Sequence, residues 1–327
     1  MLIPIITILV CIFLILRYGF DFVFVSGVCV SKRRLDGKNV IITGGNVGLG
    51  YETAVDLARR GARVIIACRD EKKGLNAERK IRLESNNDEV FYQHLNLASL
   101  SSVREFSRQI NESSHGVDIL INNAGVMGCP LTYTEDGYEM QFATNHLGHF
   151  LLTNLLLDKL KAAPEARIVN VSSLGAKFTW SFKFDNVTPK EAHSYSPMAT
   201  YTQTKLANIL FTIHLADLLR GTNVTCNSLH PGSVNTELAR HMLDKIRKIK
   251  FGWLLASIYD KIIGYLIKDS KLGAQTQIYL AVSEELVGVT GKYFSDCVEC
   301  SLRPSWTKNN AMRLWEMSER MVGMTPN

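Results

Sequence analysis

The stretch TYTQTK, residues 200–205, sets Tyr201 four positions ahead of Lys205. On a helix, residues so spaced share one face. An ammonium beside a phenol favours the phenolate and draws its pKa down from about 10. A phenol so tuned suits the reduction of a carbonyl or the oxidation of an alcohol, where a proton must move at one oxygen. The pair Ser172-Ser173 closes the apolar run RIVNV, and a serine hydroxyl there could hold the substrate oxygen. Successive strand residues face opposite sides, so only one of the two serves. A serine hydrolase fits poorly, because no G-x-S-x-G turn is present and neither serine has an evident His/Asp partnership. A lone Y-x-x-x-K is common by chance, so its meaning rests on the elements that carry it.

Those elements alternate from Lys38 onward. NVIIT (39–43), ARVIIAC (62–68), VFYQHLNL (90–97), VDILINN (117–123), RIVNVSS (167–173) and NVTCNSLHP (223–231) read as strands. Amphipathic stretches separate them, including YETAVDLARRG (51–61), one long helix through NHLGHFLLTNLLLDKL, and YTQTKLANILFTIHLADLL (201–219). Strand–helix–strand units of this kind require a mostly parallel sheet with helices on both faces. The expected fold is therefore α/β, a doubly wound Rossmann sheet. The expected division is a hydrophobic anchor over 1–30, a catalytic domain over 36–300 with substrate loops at 174–200 and 236–270, and a helical tail over 301–327.

In such a sheet ligands meet the carboxyl ends of the strands. TGGNVGLG (43–50) follows the first strand and opens a helix. Its glycines at 44, 48 and 50 allow a tight turn and close approach to a pyrophosphate, which the helix N-terminus then attracts. The second strand ends at Cys68-Arg69-Asp70. A free ribose hydroxyl wants a carboxylate at this point, and a 2′-phosphate wants a cation. Arg69 offers bidentate contacts to a phosphate, while Asp70 reads as the cap of the next helix. The expected cofactor is NADP(H).

With these motifs assembled, the chain resembles the short-chain dehydrogenase/reductase family. TGGNVGLG matches the family's glycine turn, Asn122-Asn123-Ala124-Gly125 its N-N-A-G, and Pro231-Gly232 its P-G segment. The resemblance covers roughly residues 38 to 240. It implies Asn145, Ser173, Tyr201 and Lys205 as catalytic residues. It also implies cofactor contacts from Gly44, Asn46, Gly48, Leu49, Gly50, Arg69, Asn96, Asn123, Ala124 and Gly125. Tyr201, Lys205, Pro231, Gly232 and Thr236 complete that set. By the same resemblance Tyr201 gives the proton, Lys205 holds the nicotinamide ribose, Ser173 positions the oxygen and Asn145 orders a relaying water. Two departures stand out: the family's usual aspartate after the third strand is Asn96, and the gap from Ser173 to Tyr201 is longer than in compact members. That longer loop, with ACRD, LLLDKL, TYTQTKLAN and the apolar N-terminus, is similar to the membrane-anchored retinol dehydrogenase/retinal reductase group. The resemblance implies a hydrophobic alcohol or carbonyl as substrate, a retinoid first and a steroid or other lipid carbonyl second. It further implies the endoplasmic reticulum membrane or another intracellular membrane.

Composition narrows the rest. Hydrophobic residues make up 46% and charged residues 21%, which places the chain among globular proteins. The net charge of +6 is spread without a basic stripe, so no nucleic acid is expected. The seven cysteines are irregularly spaced, and Cys297-x-x-Cys300 lacks a second pair, so neither a disulfide framework nor a metal is expected. MLIPIITILVCIFLIL is uncharged before Arg17; as a helix it spans about 24 Å, short of a bilayer core of about 30 Å. A spanning anchor or a hairpin in one leaflet both fit, and a cleaved leader would want a basic start. Lys32, Arg33 and Arg34 follow the apolar run and leave the catalytic domain facing the cytosol. HMLDKIRKIKFGWLLASIYDKIIGYLI (241–267) reads equally as a membrane-lipid contact or as ordinary helices covering the sheet. A homo-oligomer is left open, and a binding protein on an inactive dehydrogenase fold is the rival of a different class.

Overall fold

The computed structural model describes residues 27–188, 195–234 and 268–324. Eight strands form one sheet in the order β3-β2-β1-β4-β5-β6-β7-β8. They are β1 Asn39–Thr43, β2 Arg63–Cys68, β3 Val90–His94, β4 Ile119–Asn122, β5 Ala166–Val171, β6 Val224–His230, β7 Tyr293–Ser295 and β8 Val298–Cys300. Every pairing is parallel except β7 with β8. The expected doubly wound sheet is present, and β7 and β8 extend it beyond the six strands read from sequence.

Strand alternation explains the two cores. Val40 and Ile42 of β1, with Val64 and Ile66 of β2, pack on one face against Ala54, Leu57 and Ile278. Ile41, Leu120 and Ile168 turn to the other face and meet Phe106, Phe150 and Phe211. Residues two apart along a strand share a face, so one apolar run feeds both layers. Each fully buried Leu, Ile or Phe contributes roughly 1.5–3 kcal/mol relative to exposure. Helices α1 Gly48–Arg59 and α2 Glu71–Ser85 follow β1 and β2, and α3 Leu100–Glu112 follows β3. Asp70 caps α2 by accepting from the Lys73 N–H at 2.9 Å, as its position suggested.

The long helix expected through NHLGHFLLTNLLLDKL is not continuous. Ala143–Leu147 is a π turn that closes from the Gly148 N–H to the Ala143 carbonyl. It leads into α4 Gly148–Leu155, and a break at Leu156 precedes α5 Leu157–Ala162. Single π turns inside helices often mark functional sites, because they displace the hydrogen-bond ladder by one residue. Helix α6 runs Pro197–Leu218, one turn earlier than expected, with Pro197 suited to its first position. After α7 Gln275–Val282, helix α8 Lys308–Met321 completes the described elements. Trp315 of α8 packs edge-on to Phe150 at 4.8 Å and stacks on Phe211 at 5.9 Å. The Ser318 hydroxyl of α8 lies 2.8 Å from His146 Nε2 in the π turn. No helix among the described residues is long and apolar enough to cross a membrane. The apolar run 1–26, residues 236–267 and Thr236 lie outside the described residues.

Candidate active site

The sheet order reverses between β1 and β4, so a crevice opens where their carboxyl ends diverge. A cleft of about 1420 Å³ occupies that crevice. Gly44, Asn46, Gly48, Leu49 and Gly50 form one wall, with Asn123, Ala124 and Gly125 facing them. Arg69 and Asn96 lie toward the β2–β3 side, and Ser173, Tyr201, Lys205, Pro231 and Gly232 toward β5 and β6. Of the residues expected to touch a cofactor, only Thr236 falls outside the described residues.

The glycine wall fits a dinucleotide on its own geometry. Gly44 has φ +66° and Gly48 φ +57°, a region that favours glycine. A Cβ on Gly50 would stand 2.4 Å from the Gly44 carbonyl oxygen and 2.6 Å from Asn123 Nδ2. Asn123 Nδ2 donates to the Thr43 carbonyl at 2.8 Å, which ties the end of β4 to the turn after β1. The backbone is thus held close and bare, as a pyrophosphate requires. Arg69 is exposed on the rim beside Lys73 and Lys80, while Asp70 is occupied as a helix cap. Lys73 and Lys80 were not singled out from sequence. Lys73 and Lys80 stand seven residues apart on α2 and so share a face, and that spacing was the available signal.

At the opposite end the two serines divide as strand alternation requires. Ser172 is buried and donates to the Lys205 carbonyl at 2.6 Å. Ser173 is partly exposed at the cleft, and its Oγ accepts the Gly175 N–H at 3.1 Å. Tyr201 and Lys205 share a face of α6, with the ammonium 5.8 Å from the phenol ring centre. Lys205 donates from Nζ to the Val171 carbonyl at 3.0 Å, and Asn208 donates to the same oxygen at 3.1 Å.

The electrostatics correct the expectation drawn from the pair alone. Burial pushes the Tyr201 phenol above its ordinary value, and the neighbouring Ser173 hydroxyl acts the other way. Burial likewise pulls the Lys205 ammonium down, to about 8. Both side chains are nearly inaccessible, so desolvation outweighs the attraction of a cation that is itself held against a neutral carbonyl.

Asn145 sits in the π turn and is fully buried. It does not line the cleft. Its Nδ2 donates to the Val126 carbonyl and to Thr204 Oγ, both at 2.9 Å, and its Oδ1 accepts the Val126 N–H at 2.8 Å. Thr204 Oγ donates in turn to the Tyr201 carbonyl at 2.7 Å. The side chain therefore braces the cleft floor against the helix that carries the tyrosine.

A doubly wound sheet, a bare glycine cradle and a Ser/Tyr/Lys set at one crevice define an oxidoreductase of the short-chain dehydrogenase kind. A family model described as short chain dehydrogenase matches residues 38–185. Human retinol dehydrogenase 13 is 48% identical over 300 residues, 91% of this chain and 88% of that protein. Human retinol dehydrogenase 14 is 45% identical over 304 residues, 89% of this chain and 88% of that protein. Among solved structures, an uncharacterised protein from Mycobacterium Paratuberculosis superposes with a TM-score of 0.71 at 32% identity, covering 92% of this chain and all of its own. L-sorbose reductase from Gluconobacter frateurii, solved with NADPH and L-sorbose, shares the fold with a TM-score of 0.65 at 20% identity, covering 81% and 96%. The chain belongs to the short-chain dehydrogenase family, within its retinol dehydrogenase group.

Proposed function

We propose that this protein interconverts a hydrophobic alcohol and its carbonyl, retinol and retinal first, with NADP(H). The observation that carries the reading is the meeting of the Ser173 and Tyr201 hydroxyls and Lys205 at the end of a glycine-lined cleft. The names of the relatives, retinol dehydrogenases 13 and 14, support the retinoid. Arg69 on the rim, with Asp70 occupied as a cap, supports the 2′-phosphate form of the cofactor.

In this reading Gly44, Gly48 and Gly50 would hold the pyrophosphate, and Arg69 would pair with the 2′-phosphate. Asn96 stands where the family usually has an aspartate, with its Oδ1 accepting the Ala98 N–H at 3.2 Å. The bound cofactor supplies or accepts the hydride at the nicotinamide. Ser173 holds the substrate oxygen, and Tyr201 gives that oxygen a proton during reduction or takes it during oxidation. A neutral phenol is the form needed for reduction, and burial favours it. Lys205 contributes a cation beside the phenol, and Asn145 acts through its carbonyl, since its amide is fully engaged. Membrane attachment through the apolar N-terminus belongs to the same proposal and agrees with a substrate that partitions into lipid.

The test is NADPH oxidation by the full-length, detergent-solubilised protein with all-trans-retinal, a steroid ketone and a long-chain aldehyde. Retinal turnover that falls at least about a thousandfold in Tyr201→Phe, with NADPH binding retained, is the expected result. Turnover of another carbonyl alone would discard the retinoid, and tight NADPH binding without turnover of any would favour a binding protein.

A further inference from the structure

His149 lies one turn beyond Asn145 on α4, is 2% exposed and was not singled out from sequence. Its two ring nitrogens face different parts of the site. Nδ1 lies 3.1 Å from the Asn145 carbonyl oxygen, and Nε2 lies 2.8 Å from Thr43 Oγ. A carbonyl only accepts, so the proton must sit on Nδ1 and Nε2 must be the acceptor. Thr43 then donates to Nε2 at 2.8 Å rather than to the more distant Ile121 carbonyl at 3.4 Å, and its oxygen is left to accept from the Asn123 N–H at 2.9 Å and the Ala124 N–H at 3.0 Å. The opposite tautomer would set a bare nitrogen against the Asn145 carbonyl and ask Thr43 Oγ to accept three protons' worth of bonds. Burial holds the ring neutral, with its pKa pulled to about 4, and the nearby Lys205 charge acts in the same direction.

Hydrogen bonds therefore link the cofactor cradle to the backbone of Asn145, and the side chain of Asn145 continues the path to the helix that carries Tyr201. The Asn123 and Ala124 N–H groups meet Thr43, Thr43 meets His149, and His149 meets Asn145. Asn145 reaches Thr204, whose hydroxyl holds the Tyr201 carbonyl. Thr43 and Asn145 are 0% exposed, so water cannot substitute for a lost partner without opening the core.

We propose that His149 is a positioning residue for the reaction: as the Nδ1–H tautomer it fixes the Asn145 carbonyl at the π turn with one nitrogen and the Asn123-Ala124 backbone, through Thr43, with the other. The proposal rests on the dehydrogenase reading of the cleft. Each nitrogen serves a different function, so the two are separable by substitution. Asparagine places an amide near the position of Nδ1 and retains the Asn145 contact, whereas glutamine reaches the position of Nε2 and retains the Thr43 contact.

The experiment compares His149→Phe, His149→Asn and His149→Gln in the full chain, reading NADPH affinity by fluorescence and kcat at saturating NADPH. His149→Phe weakens NADPH binding about tenfold and lowers kcat about tenfold, each the scale of one buried hydrogen bond, with KM for the carbonyl unchanged. His149→Asn restores kcat but not affinity, and His149→Gln restores affinity but not kcat. Equal losses in all three variants, or a folded His149→Phe within about twofold of wild type on both readouts, would overturn the proposal. Thr43→Val cuts the same chain from its far end and covers the case in which the histidine variants do not fold. It weakens NADPH binding about tenfold with kcat at saturating NADPH held, as His149→Asn does, and Thr43→Ser restores the affinity; unchanged affinity, or an equal fall in kcat, in Thr43→Val overturns the proposal. NADPH affinity is read without substrate, so a wrong substrate assignment appears as absent wild-type turnover and not as unchanged variants.

Discussion

The two ends of the cleft solve opposite physical problems. At the Tyr201–Lys205 end both groups are buried, and loss of solvent shifts the phenol up and the ammonium down to about 8. At the Arg69 end the cation stands exposed on the rim beside Lys73 and Lys80. One end concentrates its electrostatics by excluding water, at a cost to stability. The other keeps its charges hydrated and relies on attraction that salt screens. The proposed function assigns chemistry to the first environment and cofactor choice to the second.

The largest way to break this contrast is Lys205→Met. Activity should fall on the order of a thousandfold, because a positioned cation is lost in a dry site. The same change should raise the apo protein's Tm by a few degrees, since it replaces a buried ammonium that has no ion-pair partner among the described residues. The sign with pH follows from the folded value of about 8 lying below the ordinary 10.5. Between those values the unfolded chain binds more protons, so wild-type stability rises with pH there and the variant's does not. The methionine's advantage should be greatest at or below about pH 8 and shrink above it. Thermal melts across that range check the claim, and an advantage that grows with pH would contradict it.

A smaller effect comes from the wall that both ends share. Gly50→Ala sets a methyl group against the Gly44 carbonyl and the Asn123 amide. Overpacking of about 1–3 kcal/mol in the cradle predicts a loss in NADPH affinity of about fivefold to about 150-fold. Cofactor titration measures it, with kcat at saturation expected to hold.

How far the sequence revealed this arrangement depended on how local each requirement was. The glycine turn was legible because bare backbone after a strand has few other uses, and Gly44 and Gly48 do adopt positive φ. The cap role of Asp70 was legible for the same reason, since it concerns three neighbouring residues. The π turn was not, because NHLGHFLLTNLLL carries the apolar spacing of an ordinary helix and the insertion shifts bonds without changing composition. The three-residue strands β7 and β8 are too short to show a period. The direction of the Tyr201 shift was misread because pairing with Lys205 is visible in a sequence and burial of both is not. His149 was passed over because each of its partners lies on a different element from the other: Asn145 on the π turn and Thr43 on β1.

The exposed end offers the finest test. Arg69→Ala should weaken NADPH binding about tenfold, near the lower value of a charged hydrogen bond because the site is hydrated. NADH binding, which involves no 2′-phosphate, should hold, and the ratio of the two is therefore the sharper measure. Raising ionic strength to about 0.5 M should weaken NADPH binding to the wild type more than to Arg69→Ala, because the variant has one fewer screened contact. The rate at saturating NADPH should respond little to salt, since Tyr201 and Lys205 lie where mobile ions do not reach. If salt lowered that rate as much as it lowered affinity, the division between a dry catalytic end and a hydrated recognition end would fail.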